Sequence, residues 1–294
     1  MRQTYLERLA VRSAAVGSVL CLGIDPDPEA LPRGFRPDVA GIERFARLVL
    51  DTGLAHAAAV KPNLAFFEAY GAAGLAALER LRAAIPPDVP VVLDAKRGDI
   101  GSTSARQAAA LFDALGADAV TVNGYVGSAA IEPLLGRLDR FAYVLCRTSN
   151  PGAEELQSLE VAADEAAGAP AEPLWARVAR RASGWGPNGT VGLVVGATAP
   201  RELAAIRSLA PGLAFLVPGV GAQGGYVEAV LADGRATAPP AGGRPGGGLL
   251  VNVSRGIAGA AGDGAGEPDA RTSDPGERLA AAARDWAAKL PVLP

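Results

Sequence analysis

The chain has 294 residues, 49% of them hydrophobic and 20% charged, with a formal net charge of -3. That length suits a large α/β domain and the apolar share is ample for a core, while the charge balance lacks the basic excess of a nucleic-acid-binding surface. The first ten residues mix Arg2, Glu7 and Arg8 with apolar positions rather than forming a signal-type run, and no stretch approaches the roughly 20 apolar residues of a membrane span, so a cytoplasmic protein without membrane partners is expected.

Residues 2–16 read as a helix placed ahead of the first strand. After it, a short apolar run, a Gly/Pro/Asp/Asn punctuation and a helix-period segment recur eight times. The apolar runs lie at 18–25, 57–63, 90–96, 119–123, 141–148, 191–197, 214–220 and 249–255. They are continuous rather than alternating, as parallel strands covered on both faces require. After the first run, Ile42, Phe45, Ala46, Val49 and Leu50 fall on one helical face. Leu174, Trp175, Val178, Ala179 and Ala182 do the same after the fifth, and Leu203, Ile206 and Leu209 after the sixth. A last helix over about 276–290 carries Leu279, Ala283, Trp286 and Leu290. Eight βα units in a chain of this length predict a closed (β/α)8 TIM barrel with an extra N-terminal helix, one catalytic domain over 1–294.

Three segments interrupt the rhythm: 152–171, rich in Ala, Glu and Gly; 232–248, which reads ADGRATAPPAGGRPGGG; and 260–275, rich in Gly, Asp and Pro. They read as surface insertions, the second flexible by composition. Cys21 and Cys146 lie inside apolar runs, which predicts buried free thiols rather than a disulfide.

Active sites of such barrels form at the C-terminal ends of the strands. There is one histidine, His56, and no Cys/His cluster with zinc spacing, so neither a His-based triad nor a metal site is expected. Of the 28 basic residues only three are lysines, and two of them, Lys61 and Lys96, end apolar runs. The third run closes as LDAKRGDIGSTS. Asp94 and Lys96, two apart, point to the same side of a strand, and Asp99 follows after a glycine turn. Three charges beside an apolar run are costly unless they pair. They form either a salt-bridged strand end or a network that holds a lysine ammonium as a general acid.

Lys61 after the second run is able to join that network, although a lysine at a strand exit also simply snorkels. Asp25, after the first run, is equally readable as a turn residue before Pro26. The fifth run leads into Ser149, Asn150, Pro151 and Gly152, whose polar groups suit either a ring edge or a capped turn. The seventh leads into PGVGAQGG at 218–225 and the eighth into Asn252-Val253-Ser254-Arg255-Gly256. Glycine-rich backbone amides with an arginine fork at these two strand ends suit a phosphate.

Together these motifs resemble the orotidine 5′-phosphate decarboxylase family, in its longer bacterial subgroup, over roughly 18–256. The carrying match is Asp94, Lys96 and Asp99 with Ile100 and Thr103, supported by Asp25, Lys61, Ser149–Gly152, the 218–225 run and Arg255. The resemblance implies conversion of orotidine 5′-monophosphate to uridine 5′-monophosphate and carbon dioxide, without metal or organic cofactor. It implies that Lys96 protonates the pyrimidine C6, that Asp94 lies near the departing carboxylate, and that Lys61, Asp94, Lys96 and Asp99 alternate in charge. Asp25 and Lys61 would hold ribose hydroxyls, Ser149 the pyrimidine amide edge, and Gln223 and Arg255 the phosphate under a closing loop, with Pro218 also among the substrate-binding residues. A homodimer is implied, with Asp99, Ile100 and Thr103 reaching the partner's site. Asn123 stands where many relatives carry histidine. The competing readings are a Mg²⁺-dependent phosphosugar decarboxylase or aldolase of the same barrel group, a Schiff-base aldolase using Lys96, and a non-catalytic binder of a phosphorylated ligand. Carboxylates beside Lys96 favour an ammonium over the free amine that a Schiff base needs. Phosphate capture alone has no use for the Asp94, Lys96 and Asp99 set.

Overall fold

The computed structural model describes residues 3–221, 224–262 and 274–293. Eight parallel strands form the barrel: β1 (Leu20–Ile24), β2 (Ala59–Pro62), β3 (Val92–Arg97), β4 (Ala119–Val122), β5 (Phe141–Arg147), β6 (Val191–Val195), β7 (Ala214–Val217) and β8 (Leu250–Val253). The hydrogen-bonded order is β2-β1-β8-β7-β6-β5-β4-β3. The two end strands meet through the isolated bridges Val60↔Val91 and Asn63↔Asp94, with Val60 N–H donating to the Pro90 carbonyl at 3.0 Å. The circle is therefore closed, and its β2/β3 seam carries the thinnest ladder. Seven of the predicted apolar runs contain one of these strands each, β3 runs one residue past the run at 90–96, and β1, β2, β4, β6 and β7 are buried throughout. The outer layer covers them with the predicted helical faces. Ile42, Phe45, Ala46, Val49 and Leu50 are all buried on Val39–Gly53, as are Leu279 and Ala283 on Pro275–Lys289.

The N-terminal helix, α1 (Tyr5–Val16), starts with a capping box in which Thr4 and Glu7 each accept the other's backbone N–H. It closes the barrel's N-terminal end. Tyr5 stacks on Phe141 with ring centroids 4.7 Å apart and shares a 3.1 Å hydrogen bond with the Tyr143 hydroxyl. Arg8 pairs with Asp118 at the foot of β4 at 2.5 Å.

The segment 232–248 is packed, which corrects the expectation of a flexible loop. Ala236 and Ala241 are buried, the Ala236 N–H donates to the Gly247 carbonyl at 2.9 Å, and the Gly246 N–H donates to the Leu293 carbonyl at 3.1 Å. Its glycines serve close approach: a Cβ at Gly248, whose φ is +67°, would stand 2.8 Å from the Ala214 Cβ. Composition cannot distinguish that use of glycine from flexibility. Arg207 anchors the start of the segment, donating to the carbonyls of Asp233 and Gly234 while lying 3.5 Å over the Phe215 ring.

Residues 152–171 fold into a short helix, Glu154–Gln157, followed by an antiparallel pairing of Glu160–Val161 with Glu172–Pro173. Of the third interruption, 263–273 lies outside the described residues. Cys21 and Cys146 are both free and buried, and burial pushes the Cys21 thiol up to about 12. Among the described residues, no helix is long and apolar enough to cross a membrane.

Candidate active site

The C-terminal strand ends surround a cavity of about 390 Å³ bordered by Asp25, Lys61, Asp94, Lys96, Ser149, Pro218 and Arg255. Seven residues predicted from strand ends thus meet in one space. At its floor, Asp94 lies between two ammonium groups. Lys61 Nζ donates to Oδ2 at 2.7 Å and Lys96 Nζ donates to Oδ1 at 2.6 Å. The Thr121 hydroxyl donates to the same Oδ1 at 2.9 Å. Lys61 is sealed in the barrel interior, with 4% of its side chain exposed, whereas 52% of the Lys96 side chain is open at the mouth.

Burial pushes the Asp94 carboxyl upward, but the Lys61 and Lys96 charges and their hydrogen bonds outweigh it and hold the group well below the usual carboxylate range. Burial likewise pushes the Lys61 ammonium down. The Asp94 and Asp25 charges overcome that and hold it above its ordinary value. Both groups are ionised at neutral pH, and the floor of the cavity is a fixed alternation of charge.

Asp94 and Lys96 meet, but not through regular strand spacing. The β3/β4 register runs Val92↔Ala119, Leu93↔Val120 and then Arg97↔Val122, so β3 carries extra residues against β4. Lys96 has φ +46°, the one positive value at a non-glycine position among the described residues. A lysine held there costs about 1–2 kcal/mol. The N–H groups of Ala95 and Lys96 both donate to Thr121 Oγ1, at 3.0 and 2.9 Å.

At the ends of β1 and β8, Asp25 Oδ1, Asn252 Oδ1 and Ser254 Oγ are buried without a hydrogen-bond partner. Each such group costs about 1–3 kcal/mol, and two acceptors with a hydroxyl suit a polyhydroxylated ligand. The strands approach closely there, since a Cβ at Gly23 would stand 2.7 Å from the Ser254 Cβ. Beyond β7, Gly219 and Gly221 take φ of +101° and +75°, and the Gly225 N–H returns to the Gly219 carbonyl at 3.0 Å. Gln223 lies outside the described residues. Arg255 opens the short helix Arg255–Ala258 and is exposed at the cavity rim.

After β5, Gln157 reaches back from the 152–171 segment. Its Oε1 accepts from the Thr148 N–H at 2.9 Å, and its Nε2 donates to Thr148 Oγ1 at 2.8 Å. The insertion therefore borders the cavity instead of lying apart from it. Thr121, Gln157, Asn252 and Ser254 are polar residues of the site with no individual role in the sequence reading. Asp99, Ile100 and Thr103 do not border this chain's cavity, and Ile100 is 67% exposed. Asn123 caps the turn Gly124–Val126, its side chain accepting from the Tyr125 N–H at 3.0 Å. Among the described residues, no three His, Cys, Asp or Glu side chains gather as a metal-ligand cluster.

A model of the orotidine 5′-phosphate decarboxylase / HUMPS family matches residues 18–267. A relative named orotidine 5′-phosphate decarboxylase from Thermomicrobium roseum is 49% identical over 257 residues, covering 86% of this chain and 86% of its own. Among solved structures, OMP decarboxylase of Leishmania donovani aligns with a TM-score of 0.76 at 38% identity, covering 97% of this chain and 96% of that one. The UMP synthase of the same organism aligns with a TM-score of 0.78 at 40% identity over 98% of this chain, which spans 56% of that protein's length.

Proposed function

From this chain's membership of the orotidine 5′-phosphate decarboxylase / HUMPS family, we infer that it converts orotidine 5′-monophosphate to uridine 5′-monophosphate and carbon dioxide in de novo pyrimidine biosynthesis, as one cytoplasmic catalytic domain without a metal or organic cofactor. The observation that carries this reading is the buried Asp94 carboxylate fixed between Lys61 and Lys96 at the floor of the cavity.

The chemistry breaks the bond from the pyrimidine C6 to its carboxylate carbon. Carbon dioxide leaves and the bonding electron pair stays on C6. The Lys96 ammonium, fixed beside that carbon, is favoured more by the developing charge than by the substrate, and this difference is what accelerates the step. Lys96 then gives its proton to C6 and recovers one from solvent. Asp94 orients Lys96 and stands near the departing carboxylate. Asp25 and Lys61 take ribose hydroxyls, Ser149 the pyrimidine amide edge, and Pro218, Gln223 and Arg255 the phosphate end. Binding the remote phosphate contributes to holding the ring against Lys96.

The working form in this reading is a homodimer in which Asp99, Ile100 and Thr103 complete the partner's site. Their position three to seven residues beyond Lys96, yet outside this chain's own cavity, supports that arrangement.

Protein stripped with EDTA and mixed with orotidine 5′-monophosphate is expected to show the ultraviolet change of uridine 5′-monophosphate formation. Folded protein that leaves the substrate untouched, but turns over phosphosugars when Mg²⁺ is restored, would overturn the reading in favour of the other branch of the family. Arg255→Ala is expected to raise KM about 10- to 100-fold with a smaller change in kcat, matching the loss of charge-assisted hydrogen bonds of about 1.5–3 kcal/mol. Steady-state kinetics over a wide substrate range check this, and an unchanged KM would remove Arg255 from the phosphate.

A further inference from the structure

We propose that Thr121 is a positioning residue for the decarboxylation: its one hydroxyl sets the left-handed backbone at Lys96 and the orientation of Asp94, and through both it places the Lys96 ammonium. The proposal rests on the function inferred above.

The need for such a residue comes from the shape of β3. Between the pairs Leu93↔Val120 and Arg97↔Val122, β3 advances by four residues while β4 advances by two. Backbone N–H groups in the surplus stretch lose the regular ladder and must find other acceptors. Those of Ala95 and Lys96 both find Thr121 Oγ1. A hydroxyl oxygen accepts two hydrogen bonds and donates one. Both acceptor positions are taken by the backbone of the kink, and the proton goes to Asp94 Oδ1, the same oxygen that receives the Lys96 ammonium.

Thr121 borders the cavity but is only 2% exposed, and its hydrogen-bonding capacity is filled by the protein. It therefore acts through Lys96 and Asp94, not on substrate directly. A β-branched side chain on a strand is stiff about χ1, which keeps the oxygen where the two N–H groups converge. Thr121→Val keeps the shape and removes all three hydrogen bonds. It leaves two backbone donors without an acceptor and frees Lys96 to relax from φ +46°. A displacement of about 1 Å at a reacting group lowers turnover on the order of 100-fold.

The test compares Thr121→Val, Thr121→Ser and Thr121→Ala with the parent. The readouts are kcat and KM for orotidine 5′-monophosphate, the dissociation constant for uridine 5′-monophosphate, and a crystal structure of each variant. Thr121→Val is expected to lose about 100-fold in kcat while KM and product affinity stay within about threefold, with residue 96 leaving the positive-φ region. Thr121→Ser, which keeps the oxygen, is expected to restore most of kcat. Thr121→Ala, in which a water is able to take the oxygen's place, is expected to lie between them and serves if the valine variant does not fold. Parent-like kcat in Thr121→Val, or in Thr121→Ala where the valine variant does not fold, would overturn the proposal. So would an equal loss in Thr121→Ser and Thr121→Val, because the methyl group and not the hydroxyl would then matter. If the parent itself fails to convert orotidine 5′-monophosphate, the functional reading falls. The conformation of residue 96 in the variants still decides whether Thr121 sets that backbone.

Discussion

Lys96→Ala is expected to lower kcat by about 10⁴-fold or more, because it removes both the proton donor and the fixed charge beside C6, each worth orders of magnitude. The same variant is expected to keep its fold. More than half of the Lys96 side chain is exposed, so truncation opens no hole in the core. Asp94 retains Lys61 and Thr121 as partners after the change. Steady-state kinetics alongside circular dichroism and thermal melting separate the two effects. An unfolded Lys96→Ala protein would make the lysine a structural element and remove it from the chemistry.

Asp94→Asn is expected to lose both activity and stability. Removing one partner of a buried ion pair costs about 3–5 kcal/mol, since the other charge is left behind in the interior. Here that charge is Lys61, 3% exposed and facing Asp25 as its remaining carboxylate. The pH dependence gives the sharper test.

In the parent, Asp94 is held below its unfolded value, so its contribution is present above the ordinary carboxylate range and is lost as pH falls through the folded value. Lys61 is held above its unfolded value. Its contribution is present below about 10.4 and is lost as pH rises through the folded value. Neither group makes the parent's stability vary across neutral pH. Burial is the largest influence on Lys61, ahead of both aspartates. With Asp94 neutralised, burial is opposed chiefly by Asp25, a smaller influence, and the lysine is expected to fall below its unfolded value. The unfolded chain then binds more protons than the folded one, and the variant gains stability as pH rises toward about 10. Urea unfolding at neutral and alkaline pH reads this directly. A variant as flat as the parent would show that Asp25 alone keeps Lys61 charged.

The eight strands were legible because a strand covered on both faces leaves no polar alternation, and the runs beginning at 18 and 191 carry that signature plainly. Lys61, Asp94 and Lys96 were legible because charge at the end of an apolar run is expensive unless it is used. Thr121 was not. A threonine in the run Ala119–Val122 reads as an ordinary strand residue, and only the kink opposite it gives the hydroxyl three partners. The kink was itself hidden, since nothing in Asp94-Ala95-Lys96 indicates a left-handed lysine. Gln157 is hidden for a related reason: its segment breaks the βα rhythm and reads as surface, although it returns to clamp Thr148. Gly246, Gly247 and Gly248 show the opposite failure, in which composition suggested looseness and the backbone is buried.

The seam between β2 and β3 gives the Lys61–Asp94 pair a second duty. Lys61 is on β2 and Asp94 on β3, so their 2.7 Å contact crosses the line where the barrel is joined by two isolated bridges. The ion pair acts as a clasp on the staves that meet there. Amide protons along 59–63 and 90–94 report how often that clasp opens, and substrate that engages the pair should slow their exchange with solvent before it slows exchange on the far side of the barrel.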